Sequence, residues 1–274
     1  MLGAAVKAVQ ATTRLKRKAA PSDAAEALRA ETAKRRKRRE RAAPGGNDGA
    51  HGDDGVHGED GVHYVHRPAG LIFYHGTMNC GKSTLALQLH HTNASHGLNG
   101  LVFGKGDRGG EAVLTSRIGA SAPAINVGDN FDVFVAVKAC DPAADYVICD
   151  EAQFYSSDQI EQLERVVDEL GVDVHAFGLL TDFRTRLFVG SARLVELADR
   201  LVPLPVAALC WCGTRAIHNC RTVGGVMTDE GDSVKVGDVA DGAQPGGAAE
   251  GYETLCRRHY RARKTAYAAL TLGQ

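Results

Sequence analysis

No stretch of this sequence reaches the roughly 18 consecutive apolar residues that a bilayer-crossing helix needs, so no membrane span is expected. The N-terminus also lacks the apolar core of a secretory leader. The seven cysteines do not fall into the paired spacing of a disulfide framework, which suits a reducing cytoplasm. Overall charge is nearly absent, −1 at pH 7, so the average points to no class of partner. The distribution is less even. Residues 1–45 carry 13 Lys/Arg against 4 acids, which leaves 19 basic and 29 acidic residues to the rest of the chain. A basic tail therefore precedes a mildly acidic body.

Residues 1–68 differ in kind from the remainder of the chain. "KRRKRRERAAPGG" is a charge run, and "HGDDGVHGEDGVHYVH" is a near-repeat of Gly, Asp, Val and His. Neither buries enough apolar surface to offset chain entropy, so the segment is expected to be disordered. The basic run suits nucleic acid or an anionic surface. A solvated tail is the plainer reading, and any nucleic-acid contact is expected only there. The His/Asp repeat reads as linker rather than as a weak metal site.

From Gly70 the grammar changes. The apolar runs "LIFYHG", "LVFGK", "FDVFVAV", "YVICD" and "VHAFGLL" read as buried strands. "TLALQLHHTNASHG" reads as a helix, as does "SSDQIEQLERVVDELG", where Ile160, Leu163, Val167 and Leu170 share one face and Gly171 ends the run. Apolar strands alternating with amphipathic helices predict an α/β fold, a parallel sheet covered on both faces. After about Pro205 a Cys pair, a Gly-rich polar stretch and a second Cys/His pair suggest a small appended lobe. The expected division is a tail at 1–68, a nucleotide-binding domain at 69–205 and the lobe at 206–274.

"GTMNCGKST", comprising Gly76, Thr77, Met78, Asn79, Cys80, Gly81, Lys82, Ser83 and Thr84, fits the G-x-x-x-x-G-K-[ST] phosphate loop between strand and helix. Gly76 and Gly81 let the backbone approach phosphate, and successive N–H groups point at the anion. Lys82 reaches the β- and γ-phosphates of a triphosphate, and Ser83 suits Mg²⁺. Asn79 and Cys80 fill permissive positions of the cradle, with no further role assigned. "YVICDEAQF" supplies the matching acid: Asp150 ends a buried strand and suits Mg²⁺ through water. Glu151 comes next, placed to activate water in an ATPase or to take a proton from a hydroxyl in a kinase.

Taken in order, "GTMNCGKST", "CDEAQF" and a closing Cys/His lobe resemble the type II thymidine kinases, the cytosolic class with a zinc-bearing lobe. "DRGG" at 107–110, "TSRIG" at 115–119 and "GLLTDFRTRLF" at 178–188 extend the resemblance, which spans about residues 70–261 and leaves out the tail. It implies a P-loop core and phosphoryl transfer from ATP to the 5′-hydroxyl of thymidine or deoxyuridine, with Glu151 as general base. Arg108 and Arg117 match positions that neutralise phosphate charge. Phe183 matches the residue that stacks on the base, and Met78, Phe154 and Leu179 match pocket-lining positions. Val234, Val236 and Tyr252 match contacts of a loop passing over the nucleoside. Leu180 stands where relatives carry an acid, and Asn219 where they often have Thr near the base methyl, which leaves the thymine-versus-uracil preference open. A homotetramer, feedback by thymidine triphosphate and a cytoplasmic salvage role are implied by the resemblance alone.

"CWCG" and "CRRH" offer Cys210, Cys212, Cys256 and His259 as a structural zinc set. The first pair is C-x-C rather than C-x-x-C, a tight chelate, which leaves open whether both sulfurs bind or Cys220 takes the place of one. Two other classes remain open on sequence alone. A nucleic-acid-stimulated ATPase fits the tail and the lobe, but the core lacks a motor's further motifs and length. A catalytically dead binding module is opposed by intact Lys82, Ser83, Asp150 and Glu151.

Overall fold

The apolar run at Leu71–His75 forms strand β1, and its neighbours come from far along the chain. The computed structural model describes residues 68–105, 113–231 and 250–271. The disordered tail expected at 1–68 lies, apart from Pro68, outside the described residues, as do Arg108, Val234 and Val236.

Six parallel strands form the main sheet. They are β1, β2 (Gly100–Gly104), β5 (Ile125–Asn126), β6 (Tyr146–Cys149), β7 (Asp173–Gly178) and β8 (Arg200–Pro203), in the order β5-β2-β6-β7-β1-β8. Between β2 and β5 lies a short hairpin, β3 (Val113–Thr115) and β4 (Ser121–Pro123). Alternation along the strands builds two cores. Phe73, Leu101, Phe103, Val147, Cys149, Val174 and Ala176 face helices α2 (Val133–Lys138), α3 (Ser157–Leu170) and α4 (Val189–Leu197). Val102, Tyr146, Ile148 and Phe177 face α1 (Lys82–Ser95), which buries Ala86 and Leu87. Gly100 is needed beneath the Tyr146 ring, since a Cβ there would lie 2.1 Å from it.

Helix α3 ends where the sequence indicates, with Gly171 at φ 64°. It begins with a capping box: the Ser156 hydroxyl accepts from Gln159 N, and the Gln159 side chain accepts from Ser156 N, both at 3.2 Å. Ser156→Ala is expected to cost about 1 kcal/mol, read as a lower urea midpoint at unchanged m.

One expectation fails. "FDVFVAV", read as a strand, contains helix α2. Asp132 caps it, accepting from Val135 N at 2.8 Å, and the Gln162 side chain of α3 accepts from Val133 N. A short apolar run buried on most sides carries no readable period; here the cap and the neighbouring helix override β-branched propensity.

Beyond β8 a three-stranded antiparallel sheet, β10-β9-β11, carries the lobe, with β9 at His218–Val223, β10 at Val226–Thr228 and β11 at Glu250–Leu255. Helices α5 (Arg257–Arg261) and α6 (Ala266–Thr271) close the described chain.

Candidate active site

The order β6-β7-β1 brings three strand ends together at the carboxyl edge of the sheet, where open α/β sheets bind ligands. The phosphate loop follows β1, Asp150 and Glu151 follow β6, and Leu179 follows β7.

In the loop, Gly81 adopts φ 84° and Asn79 φ 63°. A Cβ on Gly76 would lie 2.5 Å from Cys80 Sγ, so the loop folds tightly onto that buried thiol. Lys82, 8% exposed, donates its ammonium to Thr77 O at 2.9 Å, so the group lies inside the cradle. Asn219 of β9 accepts from Met78 N at 2.9 Å, tying loop to lobe.

Ser83 Oγ donates to Asp150 Oδ2 at 2.9 Å. Asp150 Oδ1 is buried without a hydrogen-bond partner, an orphaned acceptor where a cation would be welcome. Ser83 and Asp150 therefore fit Mg²⁺. Burial pushes the Asp150 carboxyl up to about 7, with the adjacent Glu151 adding to the rise and the Ser83 hydrogen bond opposing it. A carboxyl raised on folding contributes stability below its unfolded range, which is lost as pH climbs through the raised value. Without divalent cation, this contribution to the melting temperature is expected to fall from about pH 4 to about pH 7, and Asp150→Asn to flatten that fall.

Glu151 stands at φ 52°, a left-handed conformation that is unusual for a non-glycine residue. A 3₁₀ turn, Ala152–Phe154, comes directly after it. Gln153, 2% exposed, donates its amide to Glu151 Oε2 and accepts from Leu179 N at 3.0 Å. Sequence reasoning does not single this residue out, although "CDEAQF" contains it.

Phe183 is buried in a tight turn after β7. Asp182 Oδ1 accepts from Arg184 N and Arg186 N, both at 2.9 Å, and the Arg184 guanidinium lies 4.8 Å from the Phe183 ring centre. Asp182, too, escapes sequence reasoning. Leu180 packs partly buried against the main core, so the buried acid in this turn stands two residues later. Phe154, the last residue of the 3₁₀ turn, and Leu179 are half-buried, and Phe154 meets Phe188 edge-on. Tyr252 lies on β11 in register with Arg221, whose guanidinium pairs with Glu250 at 2.9 Å. Arg117 sits on the exposed turn of the β3–β4 hairpin.

In the lobe, the ligand atoms of Cys210, Cys212, Cys256 and His259 all lie within 4.8 Å of one another. A tetrahedral zinc ion has S···S edges of about 3.8 Å and S···N edges of about 3.6 Å. Cys212 Sγ to Cys256 Sγ is 4.0 Å, and His259 Nδ1 lies 3.3 Å from Cys210 Sγ and 3.6 Å from Cys256 Sγ. The residues fit the ion. Both members of the C-x-C pair join the set. Cys220, the alternative that the spacing leaves open, is buried with its thiol toward Arg221 O and stands outside the set. The Thr214 hydroxyl hydrogen-bonds Cys212 and helps lower its thiol to about 7, which favours ligation. Trp211 stacks on His259 at 4.1 Å, fixing the imidazole's plane.

A phosphate loop on β1 and a buried acid facing its serine, on a parallel sheet, define a P-loop nucleotide-binding enzyme. A profile of the family described as thymidine kinase matches residues 69–260. A thymidine kinase of Streptomyces coelicolor is 56% identical over 202 residues, covering 73% of this chain and 92% of that one. One from Cutibacterium acnes is 52% identical over 196 residues, covering 70% and 88%. That of Enterobacteria phage T4 is 36% identical over 197 residues, covering 70% and 95%. The chain belongs to the thymidine kinase family.

Proposed function

We propose that this protein transfers the γ-phosphoryl group of ATP to the 5′-hydroxyl of thymidine, with deoxyuridine as a second acceptor, and that Glu151 is the general base. The observation that carries the reading is the meeting of Lys82 and Ser83, after β1, with Asp150 and Glu151, after β6, across the carboxyl end of β7 in a chain of this family. A primary hydroxyl is a poor nucleophile, and a carboxylate that accepts its proton as the P–O bond forms lowers the barrier. Phosphoryl transfer otherwise depends on positioning and charge stabilisation. Loop N–H groups and Lys82 hold the triphosphate, while Ser83 and Asp150 would hold Mg²⁺. When bound, that ion offsets charge on the phosphate oxygens. Arg108 and Arg117 are assigned to the same task.

Phe183 is assigned to base stacking, with Met78, Phe154, Leu179, Val234, Val236 and Tyr252 lining the nucleoside site. Cys210, Cys212, Cys256 and His259 are assigned to structural zinc. A cytoplasmic homotetramer serving nucleoside salvage is a reading supported by family membership alone; sedimentation at the mass of four chains checks the assembly.

The experiment is a nucleoside panel with ATP and Mg²⁺. Thymidine is expected to give thymidine monophosphate with one ADP released per product. ATP hydrolysis at the same rate with and without nucleoside would overturn the reading.

A further inference from the structure

We propose that Gln153 is the positioning residue of the catalytic site, holding the Glu151 carboxylate through its side-chain amide; this rests on Glu151 being the base. Three observations carry the proposal.

The first is the direction of the amide. Leu179 N is a donor only, so the Gln153 atom 3.0 Å from it is the carbonyl Oε1. The NH₂ group is thereby turned the other way, and it donates to Glu151 Oε2. The strand end of β7 thus selects which face Gln153 shows the carboxylate.

The second is how firmly the turn is held. A Cβ on Gly178 would lie 2.7 Å from Gln153 Oε1 and 3.1 Å from Gln153 N. A Cβ on Gly190, in the first turn of α4, would lie 2.5 Å from Ala152 O and 2.7 Å from Tyr155 O. Glycine on both sides lets β7 and α4 close on the 3₁₀ turn. The Leu179 peptide is itself fixed, because Ser191 Oγ donates to Leu179 O at 2.5 Å.

The third is what the carboxylate lacks elsewhere. Glu151 leaves the strand in a left-handed conformation, and its own backbone does not continue β6. A half-exposed carboxylate on such a turn has several rotamers, of which one faces an acceptor hydroxyl. A buried donor on one oxygen selects a rotamer and leaves the second oxygen for the substrate proton. Misplacing a reacting group by about 1 Å costs on the order of 10²-fold in rate.

Two variants separate this role from a merely structural one. Gln153→Glu keeps the length and the acceptor for Leu179 N but removes the NH₂ donor; Gln153→Leu removes both. Steady-state kinetics with thymidine, ATP and Mg²⁺ are measured together with melting temperature. Both variants are expected to lose about 10- to 100-fold in kcat while the KM values for ATP and thymidine stay within about threefold. In a Glu151→Ala background, Gln153→Glu is expected to change residual turnover by less than about twofold, because no carboxylate remains to be aimed. Normal kcat in a folded Gln153→Glu protein overturns the proposal, as does a further loss in the Glu151→Ala background. The base assignment is tested separately by the Glu151→Ala single variant, whose retained activity would remove the premise rather than the contact.

Discussion

Glu151→Ala is expected to lower kcat by about 10²- to 10⁴-fold, the usual worth of a positioned general base. ATP binding should change by less than about twofold, because the phosphate cradle is built from loop N–H groups and Lys82, which donates to Thr77 O within the loop itself. Asp150 and Ser83 keep their mutual hydrogen bond in this variant, so the Mg²⁺ ligands remain paired. Nucleotide affinity by calorimetry, beside single-turnover product formation, separates the two effects. Wild-type turnover in a variant that binds ATP normally would remove Glu151 from the chemistry and leave positioning and charge alone to account for the rate.

Loss of the proposed lobe zinc is expected to damage the fold as well as the rate. Cys256→Ser should release zinc and unfold residues beyond β8, with activity falling below about 1% of wild type. The lobe's buried apolar cluster is Cys210, Cys220, Met227, Leu255 and Cys256, two of which are proposed ligands. A core of that size does not hold a fold unaided, and structural zinc supplies about 10–16 kcal/mol of apparent binding energy in small domains. The damage should spread beyond the lobe. Asn219 of β9 accepts from Met78 N in the phosphate loop, and the Tyr260 hydroxyl donates to Phe183 O at 2.5 Å. Metal content by emission spectroscopy and limited proteolysis check the outcome. One zinc per chain retained in Cys256→Ser would show that the ligand set is misassigned.

The parts of the site that announce themselves in sequence are those whose chemistry fixes spacing. Gly76 to Thr84 form a single loop, and Asp150 with Glu151 close a strand of continuous apolar residues, so local order and function coincide. Gln153 and Asp182 are not legible as working residues. Each acts through partners 26 and 2 residues away, Leu179 N and Arg184 N, and a polar residue in a loop gives no sign of which backbone group it meets. Helix α2 passes for a strand because burial erases its period, and its one local cue is Asp132. The Cys/His set is legible in the sequence, and what spacing alone leaves open is whether both sulfurs of C-x-C belong to it. The turn from Cys210 to Thr214, with Gly213 at φ 79°, brings both toward Cys256 and His259.

The position of β1 bears on how the chain is made. It is the first strand of the sheet, yet both its neighbours, β7 and β8, come late. Gly70 N donates to Asp173 across 103 residues, and Leu71 N to Asp199 across 128. During synthesis, the segment carrying the phosphate loop therefore has no complete pair of edges to join until Pro203 has emerged. Non-local parallel pairing of this kind forms slowly and exposes unpaired edges meanwhile. A ribosome-bound chain that stops before β7 would carry the complete GTMNCGKST motif and still lack the sheet that gives it shape.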